Sequence, residues 1–325
     1  MQQRILGKTG LRVSAITLGG GGIGMVWGPT TEEECVETVK QAVACGINVI
    51  DVAPVYGKGK AEEIVGKAWP ELTPKPLIAT KVFVTPDERQ DLPGAVRRSL
   101  EGSLKRMGLG QVDVFQLHNQ IAPHEPVSPR RLTLQEVVGR GGVLEAMQRL
   151  KEEGLVRALG FTGIARHDVV RQLFADGRLA TVQLVTNILC SEGEMGAPED
   201  APFRDHLEMV RLAQGAGLGV FGIRPFAAGS LTAAIDRALP ADHPVARDFA
   251  LAQQHLGFLT AETSSSLAFA AMRYALSLPG VSTVVTGAKN RAELAEAVAT
   301  VEAGPLPPAL MERIAALQQT VSARR

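Results

Sequence analysis

Eight short apolar runs recur along the chain, each followed by a helix-length amphipathic stretch, and this alternation restricts the fold more than any other feature. The runs lie at residues 14–18, 48–52, 77–82, 112–117, 157–161, 181–185, 219–223 and 283–286. Helical patterns start after them at Glu32, Ala61, Leu92, Gly142, His167, Phe203, Ser264 and Arg291, and a last one runs from Pro308 to Val321. Nearly continuous apolar strands, each with its crossover helix, describe a parallel sheet buried on both faces. Eight such units close a (β/α)8 TIM barrel, and nothing along the 325 residues breaks the repeat or shifts composition as a second domain would. The expectation is one barrel domain spanning residues 1–325. An open doubly wound sheet is the competing arrangement.

Residues 4–6 and 11–13 flank Gly7, Lys8, Thr9 and Gly10, the pattern of a small hairpin that plugs one end of the barrel. Two post-strand connections, 119–140 and 225–247, carry Pro123, Pro126, Pro129, Pro240 and Pro244. Both are long enough to cover a substrate site at the C-terminal face.

Composition narrows the partners. Thirty-four basic residues balance thirty-four acidic ones, so the chain lacks the cationic excess that a nucleic-acid backbone requires. No apolar window approaches the ~20 residues of a membrane span, and no apolar segment follows Met1 as in a secretory signal. Of three cysteines, Cys35 and Cys45 sit on one helical pattern about 15 Å apart at ~1.5 Å rise per residue, too far for a disulfide. Reduced thiols and a cytoplasmic location are expected. The six histidines contain no H-x-H or H-E-x-x-H pair, which argues against a metal-dependent hydrolase.

Gly19, Gly21 and Gly24 satisfy G-x-G-x-x-G after a strand, with Asp51 ending the next one, and so mimic a dinucleotide fingerprint. That fingerprint needs a helix to open within the glycines, whereas residues 25–31 intervene here. Thr31 instead reads as an N-cap with Glu34 as its capping-box partner. The glycines then form a loop at the barrel mouth, open to close approach by a ligand.

Four ionisable residues cluster at the C-terminal ends of three successive strands: Asp51 with Tyr56 five residues on, Lys81, and His118. Each alone has a plain structural explanation: a cap, a packed ring, a snorkelling lysine, a hydrogen-bonded core histidine. Together, at one barrel mouth, they are hard to explain by stability. Their chemistry is coherent. A nearby ammonium favours phenolate and lowers the tyrosine pKa from ~10; Asp51 keeps Lys81 charged and aimed; His118 holds a substrate oxygen or passes a proton.

These residues, with the opening segment 6–14 and the segment 46–57, resemble the aldo-keto reductase family over residues 4 to 300. The resemblance implies a (β/α)8 barrel, reversible carbonyl reduction, and a nicotinamide cofactor, NADP(H) or NAD(H), lying extended across the mouth. It implies Asp51, Tyr56, Lys81 and His118 as the catalytic tetrad. It also implies cofactor contacts from Gly20, Thr162, Gln183, Arg224, Gly287, Lys289, Asn290, Arg291 and Glu293. Thr162 and Gly163 stand where the family usually has a Ser-Asn pair, and Ile223 stands where an aromatic commonly stacks on the nicotinamide ring. Lys289 and Arg291 favour a 2′-phosphate, while Glu293 would repel one or accept a hydrogen bond from a free 2′-hydroxyl. The substrate expected is a small carbonyl compound or sugar. The alternative is a non-catalytic, nucleotide-sensing regulatory subunit on the same barrel.

Overall fold

The computed structural model describes residues 1–124, 128–195 and 206–322. The chain opens with β1 (Gln3–Ile5) and β2 (Arg12–Ser14), paired antiparallel, then β3 (Ile16–Gly19), α1 (Gly20–Ile23), α2 (Glu32–Ala44), β4 (Val49–Asp51) and α3 (Lys60–Ala68). There follow β5 (Leu77–Val82), α4 (Leu92–Met107), β6 (Val112–Leu117), β7 (Ile121–Ala122), β8 (Leu132–Thr133), α5 (Leu134–Val138) and α6 (Val143–Glu152). Next come β9 (Val156–Thr162), α7 (His167–Phe174), β10 (Thr181–Val185), α8 (His206–Gly215) and β11 (Gly219–Ile223). The last elements are α9 (Pro244–His255), α10 (Gly257–Thr263), α11 (Leu267–Ser277), β12 (Val281–Gly287), α12 (Arg291–Glu302) and α13 (Pro308–Ser322).

Strands β3, β4, β5, β6, β9, β10, β11 and β12 pair in parallel and close a barrel, so the eight apolar runs are its eight staves. Every residue of β4, β10 and β11 is buried, as strands walled by helices outside and side chains inside must be. The hairpin seals the floor. Its Leu6, Leu11 and Val13 pack on Val49, Ala79, Val114, Ala158, Ala180 and Phe221, which lie toward the N-terminal ends of the staves. Gly7 adopts φ +49°, and an added Cβ would meet Gly219 N at 2.2 Å, so the turn presses directly on the barrel backbone. The hairpin thus covers the N-terminal end of the barrel.

Several local expectations change. The glycine run is not wholly a loop: Gly20–Ile23 forms a single helical turn, and α2 begins separately behind Thr31. Thr31 does cap α2, its hydroxyl accepting from Glu34 N at 3.2 Å, but the reciprocal half of the capping box is missing because the Glu34 carboxylate is engaged by Arg291. The 119–140 connection carries β7, β8 and α5, with Thr133 and Glu136 forming a complete capping box. The helix expected from Ser264 starts instead at Leu267, capped by Ser266, whose hydroxyl accepts from Phe269 N. Ser264 ends α10 in a left-handed conformation, and α9 and α10 fill ground assigned no helix from sequence. Pro126 and the start at Phe203 lie outside the described residues. Cys35, Cys45 and Cys190 are free thiols. No helix of the described residues is long and apolar enough to cross a membrane.

Candidate active site

Parallel strands deliver their C-terminal ends to one mouth, which is how residues 30 to 67 positions apart in sequence come together here. Asp51 closes β4, Lys81 is the fifth residue of β5, and His118 follows β6 with its N–H donating to Val82 O at 2.8 Å. Tyr56 sits in the turn after β4, its N–H donating to Ala53 O at 3.0 Å. Lys81 is fully buried, and its ammonium donates to Asp51 Oδ2 at 2.7 Å and to Val52 O at 2.9 Å. The same ammonium lies 4.8 Å from the Tyr56 ring centre. The His118 ring meets Tyr56 edge-on, with centroids 5.6 Å apart.

Electrostatics differ from the expectation for Tyr56. Burial pushes its phenol above the ordinary value; Lys81 pulls it down by charge and hydrogen bonding, and Asp51 pushes it further up, so the net shift is upward. The cation limits the cost of forming phenolate without winning outright. For Lys81 burial favours the neutral amine, but Asp51 and Tyr56 outweigh it and the ammonium is retained. Burial first, and Lys81 second, push His118 down to about 3. The imidazole is therefore neutral near pH 7, suited to holding an oxygen by a hydrogen bond and unsuited to donating a proton as imidazolium. His118 Nδ1 has no partner among the described residues.

A cavity of about 700 Å³ runs across the mouth from Tyr56 and His118 to Glu296 and Thr300. Of the residues assigned to the cofactor, Gly20, Thr162, Gln183, Arg224, Gly287, Lys289 and Glu293 line it, and Asn290 and Arg291 do not. Asn290 caps α12, its Oδ1 accepting from Glu293 N at 2.9 Å. Arg291 is turned to Glu34, which takes its N–H at 2.9 Å, its Nε at 3.1 Å and its Nη2 at 2.9 Å. Lys289 is paired with Glu293. Each cation expected to meet a phosphate thus already has a carboxylate.

The central residues fit a nicotinamide carboxamide. Thr162 Oγ1 is buried at the cavity wall and has no partner among the described residues, so a hydrogen-bonding group is wanted there. Gln183 lines the same wall, with its Nε2 donating to Asp51 Oδ1 at 2.8 Å. Ile223 supplies an apolar surface on which a ring can lie. Arg224 is in the left-handed region at φ +56°, and its carbonyl accepts from Asn187 Nδ2 at 3.2 Å.

Two participants escaped the sequence reading. Gln116 lies in β6, two residues before His118 and hence on the same face, with its Nε2 3.3 Å from Asp51 Oδ1. An amide inside an apolar strand was the available signal. Glu34 had been assigned to a helix cap, and nothing local announces its pairing with a residue 257 positions away.

A closed parallel (β/α)8 barrel thus carries these four side chains at its mouth with a cavity beside them. The chain belongs to the aldo/keto reductase family, whose family model matches residues 15–319. It is similar to L-galactose dehydrogenase of Arabidopsis thaliana, 28% identical and covering 93% of this chain and 88% of that protein. It is also similar to the NADH-specific methylglyoxal reductase of Escherichia coli, 28% identical over 73% of this chain and 71% of that one. In fold it matches the holo form of an aldo-keto reductase of Bacillus halodurans, with TM-score 0.74 at 24% identity, covering 98% of this chain and 96% of the other.

The buried imidazole makes a stability prediction. An unfolded histidine takes up a proton near pH 6.5, whereas folded His118 resists until about 3. Between those values the unfolded state binds more protons, so this group's contribution to stability falls as pH drops through the window. Denaturation midpoints of wild type and His118→Asn, compared from pH 7 to pH 4, should move in favour of the variant on acidification. A constant difference across that range would show that His118 titrates normally.

Proposed function

We propose that the chain is an NAD(P)-dependent oxidoreductase that interconverts an aldehyde, ketone or sugar lactol with the corresponding alcohol or lactone, with Tyr56 as general acid and base. The observation that carries this reading is the fully buried Lys81 ammonium held between Asp51 and Tyr56. A charge is kept out of water at such a position only if it has work to do there or is well paired, and this one faces both a partner and a phenol.

Bound nicotinamide would supply or accept the hydride. The chain's own residues handle the rest. In this reading Thr162 and Gln183, which line the cavity, orient the carboxamide, and Ile223 supports the ring. Neutral His118 holds the substrate oxygen by a hydrogen bond within reach of Tyr56. With its pKa raised, Tyr56 carries its proton near neutral pH and can give it to a carbonyl oxygen that is gaining charge. Lys81 limits the cost of the phenolate left behind; in the reverse direction the same phenolate takes the alcohol proton.

The similarity to L-galactose dehydrogenase and to a methylglyoxal reductase supports a small polar carbonyl or sugar as substrate, because those relatives are named for such compounds. The regulatory-subunit reading is supported by similarity to a probable voltage-gated potassium channel subunit beta of Arabidopsis thaliana, 27% identical over 97% of this chain and 95% of that protein, and turnover with simple aldehydes separates the two. In Tyr56→Phe, turnover measured by absorbance of the reduced cofactor should fall by roughly 10²–10⁴-fold, the usual worth of a positioned acid. Cofactor binding, followed by the emission of cavity-lining Trp27 in a Trp69→Phe background, should persist. Near-wild-type turnover in that variant would overturn the assignment.

Cofactor choice follows from the paired cations. With Lys289 held by Glu293 and Arg291 by Glu34, little uncompensated positive charge is left for a 2′-phosphate, so weak discrimination with use of both NADH and NADPH is expected. Glu293→Arg releases Lys289 and adds a bidentate phosphate partner. The ratio of kcat/KM for the two cofactors should move toward NADPH by roughly tenfold or more, and less at high salt. An unchanged ratio means that residues 287–293 do not hold the adenosine ribose.

A further inference from the structure

Two amides converge on a single carboxylate oxygen inside the barrel. Gln183 Nε2 and Gln116 Nε2 both donate to Asp51 Oδ1, at 2.8 and 3.3 Å, while Lys81 takes Oδ2. The two amides are differently exposed to ligand. Gln183 lines the cavity; Gln116, fully buried on β6 and paired in register with Lys81 on one side and Gly160 on the other, does not.

A buried glutamine in a barrel layer can simply be filler that satisfies itself. Gln116 does not, because its Oε1 has no partner among the described residues. Turning the amide over would set Oε1 against the Asp51 carboxylate, which is repulsive, so Asp51 dictates the orientation. The side chain leaves its buried Oε1 without a protein partner among the described residues while keeping an N–H on Asp51, and such an arrangement is costly unless that contact matters.

We propose that Gln116 is a positioning residue that keeps Asp51 aligned on Lys81 when Gln183 turns from Asp51 to the nicotinamide carboxamide, and so sustains Lys81's action on Tyr56 in the loaded enzyme. The proposal rests on the functional reading above, in which Gln183 serves the cofactor. In the cofactor-free site Asp51 Oδ1 has two amide donors; once Gln183 is recruited, Gln116 is the one left. Loss of Gln116 then leaves less of the Asp51 charge taken up by hydrogen bonding, so more of its field reaches the phenol and the Tyr56 pKa rises. The charged or titratable groups facing that phenol are Asp51 from β4, Lys81 from β5 and His118 after β6, and His118 is neutral across the range concerned.

The chain has two tyrosines, Tyr56 and Tyr274, so in a Tyr274→Phe background the absorbance of tyrosinate reports Tyr56 alone and needs neither cofactor nor turnover. In that background Gln116→Met should raise the Tyr56 midpoint by a few tenths of a pH unit. Gln183→Met imitates the recruitment of Gln183, and Gln116→Met with Gln183→Met should raise the midpoint by more than the sum of the single shifts. In the loaded enzyme, the pH limb of kcat for alcohol oxidation should move upward by about 0.5–1 unit in Gln116→Met, with KM for the cofactor unchanged. Gln116→Leu provides a second donor-free side chain, and thermal midpoints of both variants report packing separately. A Tyr56 midpoint that moves in neither single nor double variant, with thermal stability alone affected, returns Gln116 to a packing role. Because the titration is independent of catalysis, failure of the carbonyl-reductase reading would appear in Tyr56→Phe and failure of this one in the absorbance.

Discussion

A fully buried ammonium is the constraint around which the mouth of this barrel is organised. Removing an isolated charge from water costs far more than a folded domain can spare, so Lys81 is tenable only with Asp51 at 2.7 Å and the Val52 carbonyl at 2.9 Å. Those partners require β4 and β5 to be adjacent and in register, with Asp51 beside Ala79, and that register is held by the closure of all eight staves. The sealed floor, the apolar walls and the amides on Asp51 all serve the same condition. Tyr56 and His118 inherit their properties from it: Lys81 pulls the phenol down against burial and pushes the imidazole further from protonation.

The far end of the cavity follows the opposite rule. There Lys289 is paired with Glu293, and outside the cavity Arg291 is paired with Glu34, in partly exposed pairs each weak enough to be rearranged by one substitution. The buried centre is thus electrostatically committed and the end at Lys289 and Glu293 adjustable.

Much of this was legible from residue order because two periodicities are robust. Apolar runs spaced by helix-length segments specify a parallel sheet, and parallel strands specify which ends meet, so Asp51, Lys81 and His118 could be placed at one mouth before any coordinate. What resisted reading depends on sums over space. The net direction of the Tyr56 shift is a contest between burial and charge, and sequence reasoning weighed the charge alone. Glu34 follows a capping-box pattern correctly and yet spends its carboxylate on Arg291. Gln183 was expected to face the cofactor, and it lines the cavity while bonding Asp51. Helices α9 and α10 went unnoticed because the prolines before them read as a loop, although Pro244 in fact occupies the first turn of α9, where a missing N–H does no harm.

The claim on which the rest depends is that Lys81 sets the ionisation of Tyr56. With tyrosine labelled at Cζ with carbon-13, the two tyrosine signals can be followed through pH, and Tyr274→Phe assigns the one from Tyr56. Lys81→Met removes the cation and leaves the burial in place, so the Tyr56 midpoint should rise by about one unit or more above that of the wild type. A Tyr56 midpoint unchanged by Lys81→Met in a folded variant would contradict the account, leaving the buried ammonium without an electrostatic hold on the phenol.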